Sequence, residues 1–279
     1  MVAIDQAVAR PMQGVDQRAR RRQSRWQGFV LPAGLLIVWS ALSATGVFSP
    51  QIAPSPIAVG RDLLKLGANG QLLDHILITT YRVALGFLVG TVAATLLGAV
   101  TGYSRQARAY LDPTIQAFKA VPSLAWVPLF VLWFGIFEVS KILLIAVGVF
   151  FPVYLNLMAG VQAVDRKLVE VGRVNNLRPF DLVWRILVPA TLPSYFTGLR
   201  AGLALGWMFV IAAELMGASK GLGFLMTDGE MTGRPSMIIG ALILFAIMGK
   251  ITDALLVAIG RRVLNWQDDL ASLQRKEAE

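Results

Sequence analysis

The sequence predicts an all-α integral membrane protein of about six spans. Three observations predict it. The 279-residue chain is 56% hydrophobic and only 15% charged, where ordinary soluble domains carry about 25% charged residues. Its mean hydropathy is +0.61, and the apolar residues fall in long blocks. Its basic residues sit in short segments beside those blocks. A net charge of +9 would fit a nucleic-acid partner, but this flanking placement is the positive-inside pattern of a membrane protein. The absence of cysteine excludes a disulfide framework, thiol catalysis and a Cys-based metal site.

Taken in order, residues 1–28 are polar and basic, with Arg18, Arg20, Arg21, Arg22 and Arg25 close together. They are predicted to be a disordered cytoplasmic extension. The run Phe29–Val47 is too long for a signal-peptide core and no small-x-small site follows it, so it reads as a retained span. A hydrocarbon core of about 30 Å takes roughly 20 helical residues. Tyr81–Tyr103, Ile115–Phe137, Ser140–Val161, Ser194–Met216 and Met237–Gly260 meet that length. The third span is interrupted by Pro122 and Pro128, which membrane helices tolerate where neighbours satisfy the freed carbonyls. Between the first two spans, Pro50, Pro54 and Pro56 lead into Val59–Leu66, a short amphipathic helix outside the membrane. The membrane-spanning body is thus 29–264, followed by a tail, 265–279. Basic residues cluster on the side that holds both termini, so both termini are predicted cytoplasmic.

Gly86, Gly90, Ala94, Gly98 and Gly102 recur every four residues in the second span, and Gly198, Gly202 and Gly206 do so in the fifth. Small residues at this spacing let helix backbones approach closely. They predict a compact bundle and name no function.

Candidate chemistry is sparse. Gly217–Phe224 looks faintly like a nucleotide loop but lacks the Gly-Lys-Ser/Thr ending that meets phosphate and Mg²⁺, and it falls outside. His75 is the only histidine, too few for a His-rich metal site, and reads as an interfacial polar residue. Intramembrane charges default to function, but Arg82 and Lys119 lie near span ends and can snorkel. Lys250 and Asp253 are three apart and can neutralise each other. Glu138 and Lys141 read as a solvated turn. Arg200 and Glu214 lie on one face of the fifth span, about 21 Å apart along its axis, and are candidates for lining a pathway.

The longest polar interruption, residues 165–193, carries Arg166, Lys167, Arg173, Arg178 and Arg185. Leu168, Val171 and Val174 share one side of a first helix. Asn175 and Asn176 break it, and asparagine tolerates the left-handed conformation of a helix C-cap. A second helix starts at Pro179, a favoured first-turn residue, with Asp181 where the dipole favours an anion. Phe180, Val183, Trp184 and Leu187 form its apolar face, and Pro189 and Pro193 are expected to end it. A basic helix–turn–helix with an apolar knob can rest on anionic lipid or touch a cytoplasmic partner. The residues alone leave both open.

The stretch resembles the Glu-Ala-Ala coupling loop of permease subunits of bacterial ABC importers. Glu170 takes the Glu position, and Leu187, Val188 and Pro189 match the ending of that motif. Val171 and Gly172 replace the alanines, and Asn176 stands at the family's glycine. The similarity runs from about Phe29 to Trp266. Trp133, Phe134, Gly135, Ile136, Glu138, Ser140, Lys141 and Ile142 resemble a segment of the taurine and aliphatic sulfonate permeases, as do Ala212, Ala213, Glu214, Leu215, Gly221, Leu222, Gly223 and Phe224. Nitrate permeases are more distant relatives.

The resemblance implies a type I importer fold in the bacterial inner membrane. It implies two copies around one pathway, spans two to five lining it, and an extracytoplasmic binding protein delivering a small organic anion. ATPase subunits would dock on Glu170, Val171, Gly172, Asn176, Leu187 and Pro189 and hold the ATP and Mg²⁺. This chain would have no cofactor, no catalytic site and no nucleic-acid partner, and lipid around it. ATP binding would push the loops and turn the pathway outward. The same machinery could serve nitrate. An autonomous secondary transporter or channel would show inverted repeats, of which the sequence has no convincing trace. An intramembrane enzyme lacks a convergent catalytic set.

Overall fold

The structure is a computed structural model that describes residues 17–45, 49 and 52–266. These residues are helical throughout, with no strand among them. They fall into two compact units, divided between Ala58 and Val59.

In the first unit, α1 spans Gln17–Ala44, with Pro32 inside it. It starts within the stretch expected to be disordered. Arginine and glutamine are good helix formers, so the apolar helix extends back through them. Its apolar part, Val30–Ala44, is shorter than a full crossing, and the expected span end at Val47 lies outside the described residues, as do 1–16 and 267–279. The Trp39 indole N–H donates to the Pro54 carbonyl at 3.0 Å.

The next helix, α2 (Pro56–Ala68), covers the expected helical run Val59–Leu66. Ser55 Oγ accepts from the Ala58 N–H at 3.2 Å, as a capping serine does. Asp62 on α2 accepts from the Ser236 hydroxyl at 2.6 Å.

Four helical runs are long and apolar enough to cross a membrane. They are α3 (Gln71–Tyr103), α6 (Glu138–Gln162), the run Phe180–Leu215, and α11 (Pro235–Val263). The expected third span is not a straight crossing. It consists of α4 (Arg105–Ala120), a 3₁₀ turn (Ser123–Trp126) and α5 (Val127–Phe134), with the helix axes bent by 84°. Among the described residues there are thus four full spans, or five with this broken one, and the expected first span continues beyond the described part of α1. The break follows from Pro122. The residue before a proline is driven out of the α region, and Val121 is extended at φ −74°, ψ 123°.

The Phe180–Leu215 run joins α8 (Pro179–Leu182), from its second residue on, to a π-helical turn (Val183–Leu187) and α9 (Val188–Leu215). The helix α6 lies between α3 and α9 and packs on both. The two glycine ladders explain this. A Cβ on Gly90 would lie 2.5 Å from the Ala146 carbonyl oxygen, and one on Gly198 would lie 3.1 Å from that of Pro152. One ladder therefore seats α3 on α6, and the other seats α9 on it. Their shared core includes Ile145, Val149, Val153 and Tyr154. In contrast, α11 is little buried along its length.

Candidate functional site

The insert is built from its first helix, α7 (Arg166–Val174). Asp165 Oδ1 accepts from the Lys167 N–H at 2.9 Å and caps its start. At its end the Leu177 N–H donates to the Gly172 carbonyl and the Asn175 N–H to that of Val171, both at 3.1 Å. Asn176 has φ 56°. This is the six-to-one bond and left-handed residue of a Schellman cap. Asparagine does here what glycine does elsewhere, because its short polar side chain visits that region at little cost. Asn175 adds a side-chain bond to the Val171 carbonyl at 2.8 Å. Gly172 is buried where α7 folds back, and a Cβ there would lie 2.7 Å from Ile186 Cδ1.

The second helix starts at Pro179 as expected, but it does not end at Pro189 or Pro193. It continues through both into the span. A proline lacks the N–H of the i→i−4 ladder and its ring crowds the carbonyl a turn earlier. The π-helical turn Val183–Leu187 widens the helix just ahead of Pro189, where such bulges absorb a local misfit.

Val171, Val174, Phe180 and Trp184 present an exposed apolar surface, with Val174 82% and Phe180 73% exposed. The Phe180 and Trp184 rings are 6.1 Å apart. Arg166, Lys167 and Arg178 are exposed around it, and Arg185 pairs with Asp181 at 3.5 Å. Glu170 is exposed, whereas Leu187 is buried and Pro189 half-buried. The six insert residues named from the sequence therefore divide. Glu170 and Val171 are presented outward, Gly172 and Leu187 hold the fold, Asn176 makes the turn, and Pro189 sits at the π-turn junction.

Glu214 does not line an open passage within this subunit. Its side chain is fully buried, and Arg82 Nη1 donates to it at 2.7 Å. It also accepts from Thr79 Oγ1 at 2.8 Å and from the Gly223 N–H at 2.8 Å. Arg82 does not snorkel to water. Its Nε and Nη2 donate to Glu138 at 2.7 and 2.6 Å, and Nη1 also reaches the Lys220 carbonyl at 2.7 Å. Lys141 lies 3.5 Å from Glu138 and donates to the Ile136 carbonyl at 2.8 Å. Two cations and two carboxylates thus form a neutral network joining α3, α6 and α9, as burial of charge demands.

The loop before α10 (Leu222–Met231) completes this network. The N–H groups of Gly221, Leu222 and Gly223 donate in turn to His75 Nδ1, Thr79 Oγ1 and Glu214, at 3.0, 2.8 and 2.8 Å. A helix N-terminus attracts an anion, and here Glu214 is that anion. The faint nucleotide-loop likeness is thus explained away, because the amides that would cradle phosphate are in use. A Cβ on Gly221 would sit 2.5 Å from the carboxylate, and Gly221 φ is 128°, so glycine is required twice over. His75 also stacks on Phe224, centroids 5.8 Å apart.

Arg200 and Asp253 form a two-bond ion pair between α9 and α11, at 2.9 and 3.2 Å. Asp253 therefore takes its partner from another helix rather than from Lys250. Arg200 remains half exposed, beside a cleft. No group of three metal-ligating side chains occurs among the described residues.

The network's participants Arg82, Thr79 and His75 were missed from the sequence as a set. The usable signal was that Arg82 and Glu214, each inside or at the end of an apolar run, have opposite charge. Glu138 and Glu214 lie in the two segments that carried the sulfonate-permease resemblance, and Arg82 joins them.

A glycine-packed bundle of long apolar helices with a broken span and a basic, apolar-tipped insert on a continuous helix defines a polytopic helical membrane protein. The chain belongs to the binding-protein-dependent transport system inner membrane component family, whose profile matches residues 86–265. It is thus the permease component of an ABC importer, multi-pass in the inner membrane. It is 39% identical to a protein named as an aliphatic sulfonates transport permease in Bacillus subtilis, over 89% of this chain and 90% of that one. It is 37% identical to one so named in Escherichia coli, over 85% and 90%. Among solved structures, the MetNI methionine ABC transporter in an inward-facing conformation has a chain that aligns with a TM-score of 0.55. It covers 69% of this chain and 94% of that one at 19% identity, a likeness of fold.

Proposed function

We propose that this chain is the permease subunit of an importer of aliphatic sulfonates, taurine or an alkanesulfonate. Two copies enclose the pathway, a binding protein delivers substrate from outside, and separate subunits bind Mg²⁺ and hydrolyse ATP. Both termini are cytoplasmic, with the body at 29–264. Arg105, Arg108, the insert, Arg261 and Arg262 then share one side, as the positive-inside rule asks.

The single observation that carries the coupling role is the exposed apolar knob of Val171, Val174, Phe180 and Trp184. It is too apolar to remain uncovered and is continuous with a spanning helix. Glu170 stands beside it to orient a partner, and Asn176 fixes its turn. The substrate reading draws on the names of the relatives. Arg200 would stand at the inner end, turned to Asp253 on α11 rather than to the path, and Glu214 would brace the outer end.

Glu170→Arg is expected to abolish substrate-stimulated ATPase in the assembled transporter while membrane insertion stays intact. Unchanged ATPase sinks the coupling assignment. Deletion of the gene is expected to stop growth on taurine or alkanesulfonates as sole sulfur source. Growth lost on nitrate as sole nitrogen source instead refutes the sulfonate reading.

A further inference from the structure

A cleft lies between α9 and α11 at the end away from Glu214. It has a volume of about 470 Å³ and is lined by Thr197, Arg200, Arg261 and Asn265 above an apolar bed that includes Phe196 and Leu256. We infer that this cleft is a site for the headgroup of an anionic phospholipid, with an acyl chain lying along the α9–α11 groove.

Charge, depth and shape carry the inference. The Asp253 carboxylate takes Nε and Nη2 of Arg200, which holds the guanidinium plane at the cleft and leaves Nη1. Arg261 is exposed and forms no ion pair with a described residue. The Thr197 hydroxyl already donates to the Pro193 carbonyl at 3.0 Å, so the donors and net positive charge come from Arg200, Arg261 and Asn265, and they match a phosphate.

Arg261 is 26 residues after Pro235, about 39 Å along the helix. The hydrocarbon is about 30 Å thick, so Arg261 lies about 9 Å past its far edge when Pro235 is at the near one. That is headgroup depth. Basic pockets between spanning helices on the cytoplasmic side are lipid-headgroup sites. The weakly buried α11 places the groove at the edge of this subunit's bundle, where a lipid enters laterally. The side assigned to the cleft rests on the orientation proposed above.

The test uses the assembled transporter in nanodiscs of equal phosphatidylglycerol and phosphatidylcholine, with retained lipid counted by native mass spectrometry. Wild type is expected to retain phosphatidylglycerol in preference, and Arg261→Gln to lose about fivefold of that preference. Arg262→Gln is the control. It removes the same charge at the same depth from a residue that does not line the cleft, and is expected to behave as wild type. An equal fall in both variants, or no preference in wild type, overturns the inference. Loss of the bound lipid to excess methanesulfonate or inorganic phosphate also overturns it, and identifies a site for a free anion. Lipid retention is read without transport, so this result stands apart from the fate of the sulfonate reading.

Discussion

Removing Arg82 is expected to be among the most damaging single changes at the Glu214 end of the bundle. In Arg82→Met, Glu214 keeps its bonds from Thr79 and Gly223 but loses its one charged partner among the described residues, while its side chain remains fully buried. Breaking a buried pair by removing one member costs about 3–5 kcal/mol. Glu138 loses the same partner but is 46% exposed, so water replaces the arginine and adds at most about 1 kcal/mol. Glu138→Gln should cost less than Arg82→Met, because Arg82 keeps Glu214, but it leaves the buried Lys141 without its carboxylate. For a chain of this size each kcal/mol shifts Tm by roughly 2–4 °C, so Arg82→Met should melt about 6–20 °C low. The double variant Arg82→Met with Glu214→Gln keeps an acceptor for Thr79 and Gly223 without a buried charge. It should recover about 2 kcal/mol or more of the loss. The assay is thermal unfolding of the purified assembled transporter, with the amount of membrane-inserted subunit as a second readout. An Arg82→Met protein melting within about 2 °C of wild type, or a double variant weaker than the single, would refute the view that Arg82 balances Glu214.

Two further changes test the packing and the turn. Asn176→Gly should leave substrate-stimulated ATPase unchanged, because glycine adopts φ 56° freely. Asn176→Val forces a branched residue into that region at about 1–2 kcal/mol and should weaken stimulation. Equal activity in Asn176→Val would show that the turn is not held. Gly90→Leu puts a Cβ 2.5 Å from the Ala146 carbonyl, which is backbone and cannot step aside. The inserted subunit should largely disappear from the membrane fraction, and wild-type amounts would show that α3 and α6 need no close approach.

The spans were legible because their signal is local: a run of apolar residues, a basic flank, a four-residue ladder. The ladder at Gly86–Gly102 predicted close packing without naming α6 as the partner, since periodicity gives a face and not what covers it. The turn at Asn176 was legible for the same local reason, φ preference being a property of the residue. The network was not legible. Arg82 and Glu214 are separated by 132 positions, and a sequence shows that a charge is in a span without showing what it meets. Arg82 near a span end therefore read as a snorkeller, and Lys250 three residues before Asp253 read as its partner. In both cases a distant residue displaced the local one. The prolines were misread in the opposite direction. Local rules ended the helix at Pro189, whereas the π-turn ahead of it and burial of Leu187 let the helix continue.

That continuity bears on how the proposed coupling would work. Had the second insert helix ended at Pro189, a push on Phe180 and Trp184 would enter the span through a flexible joint. As it stands, Trp184 and Glu214 lie on one helical run, 30 residues and about 45 Å apart. The two ends are held differently. The outer end is fixed by the bonds from Arg82, Thr79 and Gly223 to Glu214. At the inner end α7 rests on α8 and the π-turn through Gly172, Leu177 and Ile186, with no buried charge among those contacts. Displacing the inner end breaks the half-exposed Arg200–Asp253 pair and the Thr95–Tyr195 bond, whereas displacing the outer end breaks several bonds to a fully buried carboxylate. Force applied at the insert would then swing the inner half of the helix about a fixed outer end. The π-turn at Val183–Leu187 is the point along it where the hydrogen-bond ladder is already loosened.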